Sequence, residues 1–77
     1  MIIEILTPDK KIYEGEIESA TFPGTDGSFG VMNNHAPMIA SLKEGVIVLV
    51  EGTTERSFEI KGGLVEILKN KLTVLAE

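Results

Sequence analysis

Three glycines recur at a fixed interval, Gly24, Gly27 and Gly30, and the single histidine, His35, follows shortly after. Glycine-rich loops that cradle phosphate need either G-x-G-x-x-G opening a helix or a closing Gly-Lys-Ser/Thr. The G-x-x-G-x-x-G spacing here is neither, no Gly-Lys-Ser/Thr ends it, and no helical pattern follows. A zinc site needs further imidazole or thiolate ligands, and the chain has no second histidine and no cysteine. Ser28, Ser41 and Asp26 could in name complete a nucleophile triad with His35, yet no serine sits in a nucleophile elbow. Glu14, Glu16 and Glu18 share one strand face, where carboxylates splay outward instead of converging on an ion that wants six or more oxygens. These residues read as loop-shaping and solvated groups. The chemistry they offer is contact, with no catalytic residue, metal site or cofactor site.

Composition supports that reading. The 77 residues make one small domain, which buries roughly 60% of its unfolded surface. Forty-three per cent hydrophobic and 25% charged residues describe an ordinary globular chain, and the lack of cysteine excludes a disulfide framework. A net charge of -5 disfavours binding to a nucleic-acid backbone or an anionic membrane surface. The longest apolar run, Val46 to Val50, is far shorter than the ~20 residues of a membrane span, and no leader pattern opens the chain. Together these features predict a soluble, cytoplasmic domain.

The elements that position the candidate residues are strands. Phe22 to Pro37 holds two of the three prolines and three of the eight glycines, and is the stretch where loop geometry dominates. Pro23-Gly24 and Asp26-Gly27 each predict a tight turn, with Phe29 to Met32 as one brief strand and Asn33-Asn34 as another turn. Before it, Met1 to Thr7 reads as a strand with Ile3 and Ile5 on one face, Pro8-Asp9 breaks it, and Lys11 to Phe22 continues as strand with a bend at Gly15. After it, Met38 to Leu42 predicts a strand, Lys43 to Gly45 a turn, and Val46 to Val50 a buried strand. Glu55 to Lys61 alternates with Phe58 and Ile60 inward. Gly62-Gly63, then Leu64 to Leu68, the Lys69-Asn70-Lys71 turn and Leu72 to Ala76 complete the chain. No run has helical periodicity, so the fold class is an all-β sandwich or barrel.

Five segments in order carry a resemblance to a known family. They are Met1 to Thr7; Pro23-Gly24 with Gly27-x-x-Gly30; His35-Ala36-Pro37; Lys43-x-Gly45 before an apolar strand; and Gly62-Gly63-Leu64-Val65-Glu66 leading to Leu72-Thr73-Val74-Leu75. The chain resembles the N-terminal domain of the epsilon subunit of F-type ATP synthase, called delta in mitochondria, over essentially its whole length. The resemblance implies a ten-stranded β-sandwich of two five-stranded sheets spanning residues 1–77. The family's C-terminal helical hairpin has no counterpart here, which implies a naturally short member or a shortened chain. The implied role is mechanical. Such a chain is a non-catalytic central-stalk (rotor) subunit that docks gamma onto the c-ring and couples ion translocation to ATP synthesis.

Carried over residue by residue, Asp26, Gly27, Ser28, Phe29 and Gly30 form the loop implied to face the c-ring. Many members place an acid where Ser28 stands, and Asp26 is the available substitute. His35, Ala36, Pro37, Met38, Ala40 and Leu42 belong to the segment implied to lie against gamma. Asn33-Asn34 replaces the family's proline-glycine before the histidine, keeping a turn while loosening it. The resemblance further implies no cofactor, no nucleotide binding without the helical domain, and peripheral attachment at the cytoplasmic face of the bacterial inner membrane through the complex only. Two other readings of the residues stand beside it: a free-standing β-sandwich module that binds another protein, and a small hydrolase.

Overall fold

The alternating runs form strands, and a computed structural model describes all of residues 1–77 without a helix. The strands are β1 (Ile2–Leu6), β2 (Lys11–Glu16), β3 (Ser19–Gly24), β4 (Gly27–Met32), β5 (Met38–Glu51), β6 (Thr54–Leu68) and β7 (Lys71–Ala76). They hydrogen-bond in the order β2-β1-β7-β6-β5-β3-β4, with β1 parallel to β7 and every other neighbouring pair antiparallel.

This one sheet folds over its own core. β2 lies three places from β6 in strand order, yet the Tyr13 ring on β2 packs against Phe58 on β6 at 5.2 Å. The fold line is written into the two long strands. Along β6 the inward residues are Phe58 and Ile60, then Val65 and Ile67, so the buried parity switches between them. On β5 the matching switch falls between Leu42 and Ile47. Facing each other at that corner are Lys43 and Gly62, and Leu42 and Gly63. Gly62 and Gly63 have φ of 155° and 138°, and a β-carbon on Gly63 would collide with the Leu75 carbonyl oxygen. Sixteen buried apolar residues from both sides of the corner, among them Ile3, Phe22, Leu49 and Val74, form one core.

Several expectations change in detail. Lys43 to Gly45 does not reverse the chain, because pairing with β6 continues on both sides of it and the two strands bend together. The expected ten strands in two sheets are seven in one continuous sheet, since β5 and β6 each run unbroken past the corner. Lys11 to Phe22 is broken at Ile17-Glu18, where the Ile17 amide donates to Met1 and the Glu18 amide to Val50, carrying the chain from one layer to the other. Pro23-Gly24 is the end of β3, not a turn. Pro23 falls where the β3–β5 register shifts, between Thr21 and Gly24, a place where a residue without an N–H costs the ladder little. Most of Phe22 to Met32 is therefore a hairpin with the two-residue turn Thr25-Asp26. The Lys69-Asn70 turn has φ of 51° and 62°, as a type I′ hairpin requires.

Candidate docking site

A cleft of about 540 Å³ lies between the β3–β4 hairpin and the start of β5. One wall is Gly24 to Phe29 and the other is Met38 to Ser41, so residues expected to face two different partners share one concavity. Asp26, Gly27 and Ser28 are exposed at the hairpin tip, while Phe29 turns inward onto Phe22 at 5.6 Å. Gly30 lies beyond the cleft on β4.

Backbone and side-chain bonds fix the tip. The Thr25 amide donates to the Ser41 carbonyl at 3.0 Å, and the two hydroxyls lie 3.1 Å apart. Gly24 has no room for a side chain, since a β-carbon there would sit 2.6 Å from the Gly27 carbonyl oxygen. At the corner, a β-carbon on Gly45 would come within 2.7 Å of Pro23.

The β5 wall divides by parity. Met38 and Ala40 are half-buried against the core and Leu42 belongs to it, whereas Ile39 is 68% exposed and Ser41 is exposed. Alternation along the strand forces this split. His35, Ala36 and Pro37 lead into β5 outside the cleft lining. The His35 Nδ1–H donates to the Ala36 carbonyl at 2.8 Å, because a carbonyl can only accept. The Asn33-Asn34 turn is more firmly held than its composition suggests. Asn33 Oδ1 accepts from the Met1 amine at 2.9 Å, and the Asn34 amide donates to Asn70 Oδ1 at 2.9 Å.

The outward face beside this wall is apolar in part. Pairing aligns Ile39 with Glu66, Ser41 with Leu64, and Leu64 with Leu75, and Leu68 stands exposed at the same side. Only the Ile39 position within Met38 to Leu42 combines an apolar side chain with high exposure, and strand parity is the sequence signal that could have singled it out.

A polar cluster at the opposite end was not foreseen. Tyr13 donates its hydroxyl to Glu51 Oε2 at 2.6 Å, and Arg56 Nε donates to Glu51 Oε1 at 2.6 Å. The Arg56 guanidinium lies 5.6 Å from the centre of the Tyr13 ring. The Tyr13 hydrogen bond, with that of Arg56, holds the Glu51 carboxyl below its usual range, and the same bond pushes the Tyr13 phenol up. Between β1 and β2, Lys11 bridges Glu4 and Glu14, and its hydrogen bond is the main cause of a lowered Glu4. No three acids or histidines gather as metal ligands, and Glu14 spends its charge on Lys11.

All of residues 1–77 match the family described as ATP synthase, Delta/Epsilon chain, beta-sandwich domain. The chain belongs to that family. Its relatives include the ATP synthase epsilon chain of Caulobacter vibrioides, 37% identical over 73 residues, covering 95% of this chain and 85% of that one. The ATP synthase epsilon chain of Leptospira borgpetersenii is 33% identical over 75 residues, covering 97% of this chain and 59% of that one. By fold it is similar to a chain in the Euglena gracilis mitochondrial ATP synthase, with a TM-score of 0.92 at 19% identity, covering 99% of this chain and 49% of that chain. A chain in the Tetrahymena thermophila mitochondrial ATP synthase central stalk and c-ring gives 0.84 at 17% identity, covering 99% and 62%. This delta/epsilon-family chain thus spans less than two thirds of the Leptospira relative and of both structural neighbours.

Proposed function

We propose that this chain is a non-catalytic rotor subunit of an F-type ATP synthase, docking gamma onto the c-ring so that ion translocation is coupled to ATP synthesis. The observation that carries the proposal is the match of every residue to the delta/epsilon beta-sandwich family, with relatives named ATP synthase epsilon chain. The physical design suits a clamp. Two hydrogen-bonded layers around one core resist shear, and the corner glycines let β5 and β6 serve both layers. Counted layer by layer, that bent sheet is our reading of the two-sheet sandwich.

Asp26 to Gly30 is the proposed ring-facing tip, with Asp26 supplying the acid that Ser28 lacks. His35, Ala36, Pro37 and the strand through Met38, Ala40 and Leu42 form the proposed gamma-facing segment, in which Ile39 and Ser41 offer side chains outward while the alternate residues hold the strand. Attachment is through the complex, at the cytoplasmic face of the bacterial inner membrane, and no helix of the chain is long and apolar enough to cross a membrane. Copurification of the tagged chain with gamma and the c-ring from its own cell tests this. Recovery of the folded chain free of both, from membranes that retain an intact synthase, would contradict it.

A further inference from the structure

The start of β5 has main chain with no partner in the sheet. On one side Met38 to Ser41 pairs with Ile67 to Leu64 of β6. On the other side β3 pairs with β5 only at Leu42 and at Val48 to Val50, and what lies beside Met38 to Ser41 is the cleft. In an antiparallel strand a residue's N–H and C=O point to the same side, and the side alternates along the chain. The Ser41 carbonyl accepts from Thr25, so Ser41 points away from β6, and so does Ile39 two residues earlier. The Ile39 N–H and C=O therefore face the cleft, and neither the β3–β5 pairing nor the turn and loop main-chain bonds meet them.

We propose that the cleft takes an extended segment of a protein partner, which adds to the sheet by pairing its main chain with Ile39. This rests on the docking reading above and specifies how the docking is made. Unpaired main chain facing a roomy cleft is a template for strand addition. Side chains of the incoming strand alternate between the Phe29, Met38 and Ala40 wall and the outward Ile39 face, so its inward positions are small and apolar. The chain carries a net charge of -5 and no basic side chain lines the cleft, so a segment bearing lysine or arginine is favoured as occupant over an acidic one. The same net charge opposes a second copy of this chain as the occupant.

The test uses Ile39→Pro, which deletes the cleft-facing N–H, and Ile39→Thr, which keeps it and removes most of the apolar side chain. Purified gamma of the same synthase is the probe, with the isolated c-ring as a second probe. Ile39→Pro is expected to keep the fold and to lose about fivefold in affinity for gamma, the worth of one hydrogen bond. Ile39→Thr should bind more tightly than Ile39→Pro. Hydrogen exchange of the unaltered chain gives an independent reading: the Ile39 amide exchanges fast in the free chain and slowly in the complex. Undiminished binding by Ile39→Pro, loss of the fold in that variant, or an Ile39 amide already protected in the free chain would each overturn the proposal. So would an effect on the c-ring alone. If neither probe binds the unaltered chain, the docking reading itself fails; if gamma binds with Ile39 still exchanging fast, only strand addition fails.

Discussion

Tyr13 and Glu51 are 38 residues apart in sequence, and their side chains meet at 2.6 Å between the edge strand β2 and the β5–β6 hairpin. No main-chain ladder joins those two elements. The contact latches one open edge of the folded sheet, with Arg56 bonded to the other carboxylate oxygen and Phe58 beneath the ring.

That latch predicts a pH profile with two limbs. Glu51 is lowered from 4.5, so its contribution is complete above that value and is lost as pH falls toward its folded pKa. Tyr13 is raised from 10.0, so its contribution is complete below that value and is lost as pH rises through its folded pKa. Thermal melts of Tyr13→Phe should show a lower Tm at pH 7 and a smaller fall at both extremes than the unaltered chain. Equal pH profiles for the two proteins would remove the latch.

The corner glycines predict an asymmetry. Gly63→Ala should destabilise by more than about 1 kcal/mol, because the side chain meets both a strained φ and the Leu75 carbonyl. Gly62→Ala shares the positive φ but finds its nearest atom at 3.5 Å, so the loss should be smaller. Denaturant titration ranks the two, and the reverse order would refute the account of the corner.

Strand parity predicts opposite outcomes at adjacent positions of β5. Leu42→Ala should cost about 2–5 kcal/mol as a core cavity. Met38→Glu should also lower stability, since Met38 packs on the core. Ile39→Glu should stay within about 1 kcal/mol of the parent yet weaken capture of gamma. Melts of the isolated variants beside gamma pull-downs separate the two effects; a Met38→Glu chain as stable as the parent would show that Met38 contributes nothing to the core.

Much of this was legible in the sequence. Alternation placed Phe58 and Ile60 inward, Lys69-Asn70-Lys71 marked its turn, and the absence of helical periodicity matched an all-strand chain. What escaped were features decided by pairing across the sheet. Pro23-Gly24 has the composition of a turn, but its conformation is set by β4 and β5 on either side. Lys43 to Gly45 likewise reads as a reversal until Gly62-Gly63 is known to face it. The parity switch between Leu42 and Ile47 follows from that corner, and the Tyr13–Glu51 contact depends on the sheet closing over itself.

Ser28→Glu should be tolerated, because position 28 is exposed at the hairpin tip and the new acid joins Asp26. Retention on immobilised c-ring should hold or rise, and should weaken with added salt. A Ser28→Glu chain that folds normally and no longer binds the ring would contradict an acidic contact there.

Docking on both partners is the central claim, and reconstitution measures it most directly. Purified gamma, the c-ring and this chain are mixed, and the assembled particles are separated by size. The account predicts one particle containing all three, with gamma held on the ring less well when the chain is left out. A gamma–ring particle that forms equally well without it, and excludes the folded chain when it is present, would contradict the claim.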